Sequence, residues 1–128
     1  MEPIEIEKVQ QLLQGYCNKD VYIHLETTNG AYASHFDDKA YNVGAYIRNA
    51  KVKFSQAKII GDGKTYRAGL KLELGWIYAE GLTEWTLHNG SQLLLAGHDR
   101  EGRLMVALHI SETPLGHEYA ASDSVAAE

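Results

Sequence analysis

Four glycine-bearing turn signals punctuate the chain after residue 20: Asn29-Gly30, Asp62-Gly63, Asn89-Gly90 and the run from Asp99 to Gly102. Such pairs supply the positive φ that tight hairpin loops require, and the stretches between them alternate apolar and polar residues with period two. That spacing predicts strands over 20–28, 31–37, 43–60, 65–74, 76–80, 83–88, 92–98 and 103–111. The fold class is therefore mainly β, an antiparallel barrel or tightly packed sandwich. Only residues 4–16 follow a helical period, with Ile6, Val9, Leu12, Leu13 and Tyr16 on one stripe and Gly15 close to the end, giving one short N-terminal helix. With 128 residues the chain has room for a single domain, placed at 1–113. After Pro114 the periodicity is lost and small residues accumulate, so 114–128 is expected to be a poorly ordered tail.

The net charge of −5 argues against general affinity for nucleic acid or an anionic membrane surface. That average conceals a basic segment. Residues 43–72 carry seven lysines and arginines against the single Asp62, and the rest of the chain is correspondingly acidic. A lone Cys17 excludes an internal disulfide, suits a reducing compartment and reads as inert packing. The opening MEPIEIEK is acidic, and no apolar run reaches ~18 residues. The expectation is a cytoplasmic protein with neither signal peptide nor membrane-spanning helix.

A two-residue loop at Asn29-Gly30 would pair Thr28 with Ala31, Glu26 with Ala33, His24 with His35 and Tyr22 with Asp37. This register puts Val21, Ile23 and Leu25 on the same face as Tyr32 and Phe36, which favours it over a one-residue slip. Tyr22, His24, Glu26, His35 and Asp37 then form a candidate polar site. Two imidazoles with carboxylates are sufficient ligand types for a divalent metal such as zinc or iron, with His24 and His35 as the metal ligands, or for acid–base work. No HExxH or CxxC spacing accompanies them, and a solvated polar sheet face is the alternative.

In 50–60 the apolar parity switches from Ala50, Val52 and Phe54 to Ala57 and Ile59, which predicts a bulge near Ser55 or Gln56. With that correction Lys51, Lys53, Lys58, Arg67 and Lys71 share one face, a candidate anion or partner-docking surface. No P-loop or GxGxxG motif is present. Glu80, beside Trp76 and Tyr78 on one strand face, is a candidate buried carboxylate with a raised pKa. Trp76, Tyr78 and Trp85 read as core rather than as a stacking platform.

The segments KDVYIHLETTNGAYASHF at 19–36, VGAYIRNAKVKF at 43–54, YRAGLKLELGWIYAEGLT at 66–83 and LLLAGHDREGRLMVALHIS at 93–111 strongly resemble the YojF family of small proteins from Bacillus-type bacteria. The resemblance runs along nearly the whole chain up to about residue 114 and implies a compact, mainly β domain without established catalytic residues. It also implies an accessory role beside a LmbE-like, zinc-dependent sugar deacetylase of bacillithiol synthesis. The expected function is a cytoplasmic binding or accessory module, with the charge asymmetry as its docking face. The alternative is a small metal-dependent hydrolase or isomerase in which His24 and His35 hold the ion and Glu26 or Asp37 moves the proton. A further alternative is a subunit of a homo-oligomer paired through an exposed sheet edge.

Overall fold

The structure, a computed structural model, describes residues 1–28 and 44–115. Its elements are β1 (Glu2–Pro3), α1 (Ile6–Gln14), β2 (Val21–Thr28), β3 (Gly44–Val52), β4 (Gln56–Gly61), β5 (Tyr66–Lys71), β6 (Trp76–Leu82), β7 (Glu84–His88), β8 (Gln92–His98) and β9 (Leu104–Ser111). They form two antiparallel sheets, one of six strands in the order β1-β7-β8-β9-β2-β3 and one of three in the order β4-β5-β6. Neither sheet closes on itself, so the architecture is a sandwich and the barrel alternative is excluded.

Three of the hairpins follow from their turn chemistry. Asp62 Oδ1 accepts hydrogen bonds from the backbone N–H groups of Lys64 and Thr65 at 2.8 and 3.0 Å, while Gly63 takes φ of 94°. Asn89 and Gly90, at φ of 54° and 71°, turn β7 into β8. Asp99 Oδ1 likewise accepts from Glu101 and Arg103, both at 2.9 Å, before β9. The predicted continuous strand 43–60 is instead two strands in different sheets. Its parity switch is not a bulge but the corner at 53–55, where the chain passes from one layer to the other with Phe54 fully buried between them.

The core is the space between the two inner faces. Val21, Ile23, Leu93, Leu95, Leu108 and Ile110 line it from the larger sheet, and Ile59, Ala68, Leu70, Ala79 and Leu82 from the smaller. The helix adds Val9 and Leu13 and lies along β4. There the Gln10 side chain stands in for a missing strand: its Nε2 donates to the Ala57 carbonyl at 2.8 Å and its Oε1 accepts from the Ile59 N–H at 2.9 Å. Leu115 is buried, and its N–H donates to Asn49 Oδ1 at 2.8 Å, so the packed domain reaches at least two residues past the expected boundary at 113. The rest of the expected tail lies outside the described residues. Among the described residues no helix is long and apolar enough to cross a membrane.

Candidate functional site

Alternation along β2 turns Val21, Ile23 and Leu25 into the core and Tyr22, His24 and Glu26 outward, as the sequence predicts. The partner of His24 is different from the predicted one. Both hydrogen-bonding edges of β2 are taken, by β3 on one side and β9 on the other, so the Asn29-Gly30 register is not the pairing of this strand. The residue facing His24 across the ladder is His109. His35 and Asp37 lie outside the described residues, and among the described residues no three His, Cys, Asp or Glu side chains are grouped so as to hold a metal ion.

Around this histidine pair the outer face of the larger sheet is polar. His24 Nε2 donates to Glu26 Oε1 at 3.1 Å, and its ring meets Tyr46 edge-on at 5.1 Å between centroids. His24 Nδ1 is buried without a hydrogen-bond partner. His109 Nε2 donates to Gln92 Oε1 at 3.2 Å. Burial, reinforced by the charges of His24, His88 and Arg48, holds the His109 pKa below its usual value. Arg48 reaches this face through a register shift in β3 opposite His24, where Asn49 adopts φ of 56°. At the far end of the face His98 Nδ1 donates to Glu84 Oε1 at 2.6 Å.

The predicted cationic face divides in two. Lys51 and Lys53 belong to the larger sheet and its exit, where both approach Asp20, at 3.8 and 3.9 Å. Lys58, Arg67 and Lys71 stand on the outer face of the smaller sheet, because Lys58 pairs with Gly69, Arg67 with Ile60 and Lys71 with Gln56. Trp76 and Tyr78 share that face. They are 43% and 48% exposed, which corrects their assignment to the core, whereas Trp85 is buried as expected. Their rings stack at 5.6 Å with an interplanar angle of 6°. The Arg67 guanidinium lies 5.1 Å from the Tyr78 centroid and the Lys71 ammonium 5.8 Å from that of Trp76, so the order along the surface is cation, ring, ring, cation. Gly69 makes room for it: a β-carbon there would stand 3.0 Å from the Tyr78 ring. Glu80 is no buried carboxylate. Its side chain is 62% exposed and accepts from Arg67 Nε at 2.5 Å.

The neighbours of His24 on β3 and β9 were missed because sequence parity tells which way a side chain points but not which strands are neighbours. Burial pushes the Cys17 thiol pKa up, which keeps it protonated and consistent with packing.

The family model for a protein of unknown function, DUF1806, matches residues 3–115. The chain is 55% identical over 114 residues to the uncharacterized protein YojF of Bacillus subtilis (strain 168), an alignment covering 89% of this chain and 97% of that protein. The crystal structure of Bacillus subtilis YojF superposes with a TM-score of 0.73 at 49% identity, covering 90% of this chain and 96% of that one.

Proposed function

The chain belongs to the DUF1806 family, and from its surface chemistry we propose that it is a binding module, an accessory protein that docks an acidic partner protein on the outer face of the three-stranded sheet. The observation that carries this reading is the Arg67–Tyr78–Trp76–Lys71 stack together with Leu74, which is 99% exposed. Ile60, on the same sheet face, is 48% exposed. Trp, Tyr and Arg are the residue types that dominate binding energy at protein interfaces, and holding them in a stack lowers the ordering cost of association. Clustered exposed apolar side chains rimmed by charge mark an interaction surface.

The charges select the partner. Lys58, Arg67 and Lys71 face outward, and among the described residues Glu80 is the one carboxylate ion-paired with them, so an acidic surface is complementary. A second copy meeting this face through a twofold axis would set cation against cation. Nucleic acid fits poorly as well, because a base needs an open ring face and Arg67 and Lys71 already occupy those of Tyr78 and Trp76. The family resemblance supplies the first partner to try, a LmbE-like sugar deacetylase of low-molecular-weight thiol synthesis, in the cytoplasm.

The test is recovery of that deacetylase by the immobilised chain. Wild type should retain it, W76A/Y78A and R67E/K71E should lose it, and K51E/K53E should behave as wild type. Equal recovery by all four would remove the docking face.

A further inference from the structure

The two edges of the three-stranded sheet are finished differently. On the β4 side the Gln10 amide bonds the Ala57 carbonyl and the Ile59 N–H and closes the edge. On the β6 side no further strand follows among the described residues. The turn before β6 fixes which of its backbone groups are left over. Leu72 N–H donates to the Gly75 carbonyl at 2.7 Å, and the Lys71 carbonyl faces β4, where it accepts from Ser55 N–H at 2.9 Å. Antiparallel pairs alternate between hydrogen-bonded and non-hydrogen-bonded, so Ile77 and Ala79 bond to Leu70 and Ala68, whereas the N–H and C=O groups of Trp76 and Tyr78 point away from β5 to the open side. The open stretch ends at Gly81, where φ of 79° turns the chain and the carbonyl abuts Gly97.

This edge lies flush with the stacked rings. Both rings lean back over β5 into the space that Gly69 leaves, where a β-carbon would stand 3.0 Å from Tyr78 and 3.5 Å from Trp76, so they do not shelter the far side of their own strand. Ile77, on the inner side, packs against the core yet stays only half-buried at the edge. Leu74 stands exposed in the turn at its head. A strand laid along β6 would therefore meet unpaired backbone groups, an apolar inner contact and, on the outer side, the rings with Lys71 and Arg67 behind them. Successive strands stand about 4.8 Å apart, which sets the added strand about 10 Å from β5. A glutamate from one side and a lysine or arginine from the other cover that span.

We infer that the β6 edge is a strand-addition site that receives an extended segment of the partner, antiparallel to β6, with acidic side chains outward alternating with apolar side chains inward. This rests on the docking face proposed above and names the part of the partner that the face receives. Main-chain bonds from Trp76 and Tyr78 hold the segment, and the cations select its acidic residues. A second copy of β6 is a poorer occupant. Its one carboxylate, Glu80, is already held by Arg67, which leaves Lys71 without a counter-charge.

Wild-type protein is titrated calorimetrically with a synthetic peptide of alternating glutamate and valine, and with two forms of it methylated at backbone nitrogens, one at the glutamates and one at the valines. In antiparallel addition the residue opposite Tyr78 has its side chain on the outer face and its N–H toward β6, so the glutamate amides make the bonds. The unmethylated peptide should bind saturably. Methylation at valine should leave the affinity within about twofold, and methylation at glutamate should weaken it at least about tenfold, the loss of roughly two backbone hydrogen bonds. Amide exchange at Trp76 and Tyr78 should slow on binding, whereas Ile77 and Ala79 are protected beforehand by β5. No saturable binding of the unmethylated peptide, equal affinity of the two methylated forms, or the reverse order would overturn strand addition. If W76A/Y78A nevertheless loses the deacetylase, the docking face stands without it. Slowing of the same amides by raised protein concentration alone would give the edge to a second copy and overturn the inference as well.

Discussion

Gly97 has no space for a β-carbon: one placed there would lie 2.0 Å from the Gly81 carbonyl oxygen and 2.7 Å from Val106 Cγ1. Two backbones pass each other at this point, where the chain leaves β6 and the larger sheet begins. A backbone oxygen cannot step aside as a side chain can, so G97A should cost at least about 2 kcal/mol, seen as a lower midpoint in urea unfolding. His109 gives a pH signature of its own. Its folded pKa lies below the ordinary histidine value, so in acid the unfolded chain takes up a proton that the folded one resists. Stability from this group is therefore complete above the unfolded pKa and declines as pH falls through it. Thermal melts should show that decline, and H109Q should flatten it; an unchanged pH slope in H109Q would refute the assignment. The outward set of Tyr22, His24 and Glu26 was readable from alternation alone. The surface position of Trp76 and Tyr78 was not, because large rings read as core by composition, and the cations that stack on them come from a neighbouring strand.

Gln10 shows how one side chain can finish an element. Its amide satisfies the Ala57 carbonyl and the Ile59 N–H, so the free edge of β4 is closed by the helix rather than left open to another chain. Q10A should destabilise the fold by about 1–3 kcal/mol and speed hydrogen exchange at the Ile59 amide specifically. If that amide stays as protected as in wild type, the edge does not depend on Gln10. Phe54, buried at the corner between β3 and β4, is the second such point, and F54A should cost about 3–5 kcal/mol. Hairpins β4-β5 and β7-β8 were legible because Asp62-Gly63 and Asn89-Gly90 sit inside the turns they specify. The pairing of β2 was not, since its neighbours β3 and β9 are chosen by the layer they complete and leave no local mark. The parity switch at 53–55 was visible, yet bulge and corner give the same pattern in one dimension.

At the scale of the whole molecule, the sandwich separates two chemistries that the sequence mixes within one basic segment. Lys58, Arg67 and Lys71 go to the smaller sheet beside the exposed rings, while Arg48 goes to the histidine face of the larger one. A chain of net charge −5 thereby presents a basic patch on the smaller sheet, and its sign follows from strand pairing rather than from composition. The docking face is the central claim, and calorimetric titration of the LmbE-like deacetylase into wild-type and W76A/Y78A protein tests it most directly. The account predicts saturable binding by the wild type, weakened at least about tenfold in the variant at unchanged fold stability, as expected when two interface anchors are removed. Affinity that is the same for both proteins, or a wild type that does not bind, would contradict it.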